Sequence, residues 1–148
     1  PGLRSGFVAG DATIIQQYFS YRTYHGCAMP VQHQWASIAA WNDEQHVIKN
    51  RLLYKQKFDA VVKTLSPVLD VKQPDAAFYL WIPTPISDEQ FAQQLFALEN
   101  ITVLPGSYLS RPHAGINPGA NHVRIALVAG YAECLDAAER IKLFAEKL

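Results

Sequence analysis

The chain has 148 residues, of which 13 are basic and 13 acidic, so its formal net charge at pH 7 is zero. This length suits one compact domain with a hydrophobic core, with or without part of a second domain. Hydrophobic residues make up 49% and charged residues 18%, which excludes intrinsic disorder. The balanced charge offers no excess of cations for phosphates, which argues against a nucleic-acid-binding domain.

The sequence indicates neither a membrane span nor a disulfide framework. It has no run of 18 apolar residues, and its first residues lack the layout of a signal peptide. Its two cysteines, Cys27 and Cys134, are too few for a disulfide scaffold, so we expect reduced thiols and a cytoplasmic location. Because Met29 is the one methionine, we expect a processed chain or part of a longer protein.

The first third of the chain predicts a short strand followed by two helices. The strand is expected over residues 6–10, which are apolar between two glycines. Asp11 is expected to cap the first helix, and Gly26 to end it. The second helix is expected to begin near Pro30 and to end around Asn42.

A longer helix is predicted over residues 44–65, with Pro67 just after its end. Five apolar residues recur along one face of it: Tyr54, Phe58, Val61, Val62 and Leu65. A helix of twenty residues is about 30 Å long, enough to connect two domains. We therefore expect residues 1–50 to belong to one domain and residues 51–148 to form a small α+β domain.

The rest of the chain predicts alternating strands and helices. The strands are expected over residues 77–82, 101–104 and 123–128. One helix begins at the capping box of Ser87 and Gln90, with Phe91, Leu95 and Leu98 facing inward. The last helix covers residues 132–148, with Leu148 on its apolar face. Residues 105–121 form a loop long enough to suggest a function.

No motif for metal binding or for nucleophilic catalysis is present. His25, Cys27 and His33 are of metal-ligating types, but their spacing fits no zinc signature, so no metal site is predicted. The sequence also lacks GxSxG, HExxH and GxxxxGK[ST]. Catalytic motifs alone therefore favour a binding module.

Two arginines are candidate anion-binding residues. Arg4 lies between glycines before the first predicted strand, where a guanidinium could bind a phosphate through two hydrogen bonds. An exposed arginine near a chain end is the more common situation. Arg124 lies within an otherwise apolar strand and needs a partner, which could be an internal carboxylate or an anionic ligand. The residues by themselves leave both alternatives open.

Several segments resemble the class I and II aminotransferases, which are pyridoxal-phosphate enzymes of fold type I. In chain order these are residues 1–7, Pro30 with Gln34 and the alanines that follow, residues 105–107 and residues 122–125. Residues 104–111 and 115–119 are similar, more narrowly, to N-succinyldiaminopimelate aminotransferases of bacterial lysine biosynthesis. The resemblance implies an α+β fragment that comprises a remnant of the large cofactor domain, the interdomain helix and the small C-terminal domain.

The resemblance also implies site residues, a cofactor and partners. Arg4 matches the arginine that holds the cofactor phosphate, and Arg124 matches the arginine that binds the substrate α-carboxylate. Phe78 matches a position near the substrate, although a core aromatic is an equal alternative. Arg111 could meet a distal carboxylate, although a surface arginine is more common. The implied cofactor is pyridoxal 5'-phosphate, the substrates are an amino-acid donor and a 2-oxo-acid acceptor, and the enzyme is a homodimer.

The lysine that forms the Schiff base in this family precedes the position of Pro1, and this chain has no lysine before Lys49. We therefore expect no catalytic residue here and no activity from the chain alone. The intact protein is expected to transfer an amino group between N-succinyl-LL-2,6-diaminopimelate and 2-oxoglutarate. The alternatives are another class I or II aminotransferase, acting on aspartate, aromatic amino acids or LL-diaminopimelate, and a non-catalytic binding or interaction domain derived from such an enzyme.

Overall fold

The computed structural model describes residues 2–26 and 28–148 of the chain. These residues divide into two units, one ending at Ile48 and the other beginning at Lys49. Cys27, considered above as a possible metal ligand, lies outside the described residues. The first unit contains helices α1 (Ala12–Arg22) and α2 (Val31–Trp41), and helix α3 (Glu44–Leu65) begins in it.

The two helices of the first unit begin where the sequence predicts, but α1 ends at Arg22 and not at Gly26. The Asp11 carboxylate accepts hydrogen bonds from the backbone N–H groups of Thr13 and Ile14, at 2.9 and 3.1 Å, and so caps α1. Neither α1 nor α2 has a buried side chain. The strand predicted over residues 6–10 is wrong, because no neighbouring strand in the described part of the chain supplies the hydrogen bonds that a strand needs.

The second unit is built on a three-stranded antiparallel sheet. Its further elements are β1 (Tyr79–Pro83), α4 (Asp88–Glu99), β2 (Leu104–Pro105), a 3-10 helix (Gly106–Leu109), β3 (His122–Ala126) and α5 (Tyr131–Ala145). The strand order is β1-β3-β2, so β3 lies in the middle. In this register Trp81 of β1 and Leu104 of β2 lie on either side of Arg124.

One face of the sheet packs against the hydrophobic core. Successive side chains of a strand point to opposite faces, and the residues on the core face are Leu80, Ile82, Val123 and Ile125, all buried. The core also contains the apolar stripes of α3, α4 and α5, which include Phe58, Leu65, Phe91, Leu95, Ile141 and Phe144. The opposite face carries Tyr79, Trp81 and Arg124. The α+β fold class predicted from the sequence is therefore confirmed.

Three local predictions differ from the structure. The strand expected over residues 101–104 is observed only at Leu104 and Pro105, where β2 pairs with β3. Val103 packs in the core instead, and proline has no N–H for a further hydrogen bond between the strands. Leu98 is exposed, since it lies in the last turn of α4, whose core-facing residues are Phe91 and Leu95. Leu148 is exposed because α5 ends three residues earlier.

Length and apolar character together decide whether a helix can span a membrane. The helix α3 has 22 residues but is interrupted by charged side chains along its whole length. No helix within residues 2–26 and 28–148 combines the length and the apolar character needed to cross a membrane.

Candidate functional site

Arg124 lies in the middle of the central strand, on the face of the sheet that points away from the core. Its side chain is half-buried, and the guanidinium carbon lies 5.5 Å from the centre of the Tyr79 ring. This distance is that of a cation–π contact. A cavity of about 360 Å³ opens here, lined by Tyr79, Trp81, Leu109 and Arg124. The one cation of this cavity thus lies among aromatic and apolar walls.

The sequence left open whether an internal carboxylate or a ligand is the partner of Arg124. In the described part of the chain no carboxylate lies within ion-pairing distance of its guanidinium. The contact with the Tyr79 ring leaves the hydrogen-bond donors in the plane of the guanidinium available. An arginine of this kind, half-buried and bordering a cavity, is arranged to bind a planar anion through two hydrogen bonds.

Trp81 and His122 form a stacked pair beside Arg124. Their ring centres are 5.4 Å apart and the ring planes differ by 12°. The Nδ1 atom of His122 lies 2.9 Å from the carbonyl oxygen of Ala120, so we assign the proton to Nδ1, which donates this bond. The stack and the hydrogen bond together fix one wall of the cavity.

The loop over residues 106–121 is held by a buried carboxylate. Asp88, the first residue of α4, is only 4% exposed. Its Oδ2 accepts the N–H of Ser107 at 2.9 Å, and its Oδ1 accepts the N–H of Asn121 at 3.1 Å. Burial alone would raise the pKa of this carboxyl, but hydrogen bonds from Ser107 and Asn121 outweigh burial and lower the pKa below its ordinary 3.8. Asp88 is therefore a carboxylate at neutral pH.

The two ends of this loop touch each other at Gly106 and Gly119. A methyl group on Gly106 would collide with the carbonyl oxygen of Gly119, and it would lie 2.6 Å from Cη2 of Trp81 and 2.9 Å from the carbonyl oxygen of His122. Asn117 closes the loop further, since its Oδ1 accepts the N–H of Gly119 at 3.0 Å. Only a residue without a side chain fits between the loop and the Trp81 ring.

The two weaker substrate-binding candidates lie outside the lining of the Arg124 cavity. Phe78 is 47% exposed, directly before β1, and its ring packs edge-on against Tyr79 at 5.4 Å. Arg111 is exposed in the loop after the 3-10 helix, and no carboxylate of the described residues pairs with it. The substrate roles of both residues stay predictions.

Arg4, in the first unit, has an unusual backbone and an exposed side chain. Its φ of 56° lies in the left-handed region, which residues other than glycine rarely adopt and which is common at ligand sites. No carboxylate in the described part of the chain pairs with it. The hydroxyl of the next residue, Ser5, shares a hydrogen bond with the Ser37 hydroxyl. The exposed guanidinium of Arg4 and these two hydroxyls are chemical groups of the kind that bind a cofactor phosphate.

Sequence reasoning did not find the residues that shape the Arg124 cavity. Asp88 follows the cap residue Ser87 and resembles any acidic residue of a first helical turn, so no local signal distinguishes it. Trp81 and His122 are 41 residues apart in the chain, and their stacking depends on the register of β1 against β3. No group of three metal-ligating side chains is found among residues 2–26 and 28–148.

Comparison with known proteins places these features in a family context. The family model described as "Aminotransferase class I and II" matches residues 1–141. LL-diaminopimelate aminotransferase of Syntrophobacter fumaroxidans is 29% identical over 145 residues, which are 95% of this chain and 36% of that protein. The chain thus spans little more than a third of the length of that relative.

Two solved structures are similar as well. An aminotransferase from Neisseria meningitidis is 54% identical with a TM-score of 0.85, and the match covers 98% of this chain and 37% of that one. A Thermus thermophilus protein described as a probable N-succinyldiaminopimelate aminotransferase is 30% identical with a TM-score of 0.58, over 69% of this chain and 26% of that one. Both matches again leave most of the longer chain uncovered.

Proposed function

The chain belongs to the class I and II aminotransferase family, and from this premise we propose that it is the C-terminal part of a pyridoxal-phosphate-dependent aminotransferase. The proposed reaction moves an amino group between N-succinyl-LL-2,6-diaminopimelate and 2-oxoglutarate. The observation that carries the proposal is the guanidinium of Arg124, which borders an aromatic cavity and has no carboxylate partner among residues 2–26 and 28–148. Donor and acceptor share an α-carboxylate, and a guanidinium binds this group in one plane through two hydrogen bonds.

The proposed role of Arg124 is to hold each substrate in one orientation. A bidentate contact fixes both the position and the rotation of the carboxylate. Tyr79, Trp81 and Leu109 line the cavity beside Arg124, and apolar surroundings strengthen a contact between opposite charges. Orientation of this kind matters because a displacement of about 1 Å can lower a rate about 100-fold.

We assign the two structural units to the two domains of the family. The unit that ends at Ile48 would be the remnant of the large cofactor domain, and the unit that begins at Lys49 would be the small C-terminal domain. The helix α3 (Glu44–Leu65) would be the interdomain helix, because it belongs to both units. The intact enzyme is proposed to be a cytoplasmic homodimer.

Arg4 is the residue of this chain that would hold the cofactor. Its guanidinium is exposed and suits a phosphate dianion, and the hydroxyl of the next residue, Ser5, is bonded to that of Ser37. When bound, pyridoxal phosphate supplies an electron sink for the amino-acid substrate. The residues before Lys49 include no lysine that could bind it covalently, so the chain alone is proposed to be inactive.

Replacing Arg4 with glutamine is expected to weaken cofactor binding by the full-length polypeptide. A hydrogen bond to a charged group contributes about 1.5–3 kcal/mol, so the dissociation constant for pyridoxal phosphate should rise about 10- to 100-fold. Absorbance titration of the cofactor measures it. Arg51→Gln, which removes an exposed arginine of α3, is the matched control and should leave the constant unchanged. Unchanged binding by Arg4→Gln would overturn the assignment of Arg4.

The substrate is tested with the full-length polypeptide, pyridoxal phosphate, 2-oxoglutarate and a set of amino donors. We expect N-succinyl-LL-2,6-diaminopimelate to give the highest kcat/KM among the succinylated donor, LL-diaminopimelate, aspartate and an aromatic amino acid. Turnover of one of the others without turnover of the succinylated donor would overturn this choice of substrate. LL-diaminopimelate is the first of these alternatives, because a relative of that name matches 95% of the chain. Turnover of no donor would favour the non-catalytic binding domain.

A further inference from the structure

We propose that Asp88 is a positioning residue for the carboxylate site, because it fastens both ends of the loop that forms a wall of the Arg124 cavity. The inference rests on the proposed function of Arg124. Asp88 does not line the cavity, and none of the residues that line it belongs to α4.

The Asp88 carboxylate accepts two hydrogen bonds from the loop. Ser107 and Asn121 are 14 residues apart in the chain, and their backbone N–H groups donate to different oxygens of one carboxylate, at 2.9 and 3.1 Å. A single side chain therefore fixes the start and the end of the loop. The N–H of Thr84 donates to the carbonyl oxygen of Asn121 at 2.8 Å, so the anchored end is also tied to the segment after β1.

Asp88 does not cap its own helix, although it is the first residue of α4. Acidic residues at helix starts often cap their own helix, as Asp11 does for α1. In α4 the cap is Ser87, whose hydroxyl accepts the N–H of Gln90 at 3.3 Å. In the described part of the chain no cation pairs with Asp88, so its charge is compensated by N–H groups of the loop.

The anchored loop contacts one wall of the Arg124 cavity and supplies another. Gly106, directly before the anchored Ser107, packs under the Trp81 ring, which stacks on His122. Leu109, two residues after Ser107, lines the cavity next to Arg124. Because no side chain separates Gly106 from Trp81, a shift of the loop start moves both the ring and Leu109. The loop position thus determines the shape of the carboxylate site.

The test compares Asp88→Asn with Glu89→Gln. Each change removes one negative charge from the first turn of α4, but Glu89 is exposed and makes no bond to the loop. An asparagine offers one acceptor oxygen and would turn its NH₂ group toward a backbone N–H, so one anchoring bond is lost. Hydrogen exchange of at least one of the Ser107 and Asn121 amides in this chain should become about tenfold faster in Asp88→Asn, and that of neither should change in Glu89→Gln.

The second measurement uses the kinetics of the full-length polypeptide. We expect Asp88→Asn to raise the KM for 2-oxoglutarate about tenfold while kcat falls less than threefold, since the loop shapes the binding wall. Glu89→Gln should change neither. Equal effects of both variants, unchanged exchange in Asp88→Asn, faster exchange with unchanged KM, or unfolding of the whole domain by Asp88→Asn would each overturn the inference. Failure of the wild-type protein to turn over any donor would instead overturn the proposed function, and the exchange comparison would still decide whether Asp88 orders the loop.

Discussion

Replacing Arg124 with lysine is expected to lower kcat/KM of the full-length enzyme about 10- to 100-fold for its amino donor and for 2-oxoglutarate alike. Lysine keeps the charge but loses the planar pair of donors, which corresponds to about 1.4–2.8 kcal/mol of transition-state stabilisation. Replacement by glutamine removes the charge as well and should cost at least about 100-fold. Both substrates are affected because, in the proposed reaction, both present an α-carboxylate to the same guanidinium.

The control for this prediction is the same substitution at another arginine. Arg140 of α5 makes ion pairs with Glu99 and Asp136, at 3.6 and 3.3 Å, and does not line the Arg124 cavity. Arg140→Lys should therefore change kcat/KM less than twofold, since lysine keeps the positive charge next to Glu99 and Asp136 and the side chain lies outside the cavity. Steady-state kinetics with both substrates measures the effect. A loss with one substrate and not with the other would mean that Arg124 binds a group that the two do not share.

Replacing Gly106 with alanine is the second change with a large expected effect. The added methyl group would meet the carbonyl oxygens of Gly119 and His122, which belong to the backbone and cannot rotate away, and the Trp81 ring. We expect the free energy of unfolding of this chain to fall by about 1–3 kcal/mol, the usual cost of overpacking. Carboxylate binding should weaken as well, about tenfold, because the Trp81 ring must move.

Gly10→Ala is the matched control, because a methyl group there meets no atom within 4 Å. It should leave both the stability and the affinity unchanged. Denaturant unfolding of the 148-residue chain measures the stability, and the KM for 2-oxoglutarate in the full-length polypeptide reports the affinity. If Gly106→Ala were as stable as the parent and bound 2-oxoglutarate equally well, the close packing of the loop under Trp81 would be wrong.

The sequence predicts the helices well because their signals are local. Asp11 and Ser87 are cap residues whose bonds reach only two or three residues along the chain, and both are observed. The apolar stripe of α3 likewise predicts which side of the helix enters the core. The strand expected over residues 6–10 shows the limit of such signals, because a strand also needs a neighbour that the pattern cannot supply.

The candidate site depends on contacts between distant residues, and the sequence predicts it only in part. Arg124 is conspicuous because a cation interrupts an apolar strand. The aromatic wall depends on the register that brings Trp81 opposite Arg124, and the anchoring by Asp88 depends on the path of the following loop. Neither leaves a periodic pattern in the sequence, so both require the structure.

The most direct test of the account is a crystal structure of the full-length polypeptide with pyridoxal phosphate and 2-oxoglutarate. We predict two guanidinium nitrogens of Arg124 at about 2.7–2.9 Å from the two oxygens of the 2-oxoglutarate α-carboxylate, with Tyr79, Trp81 and Leu109 around the contact. A structure in which that carboxylate is bound by another cation, while Arg124 makes no contact with the ligand, would contradict the central claim.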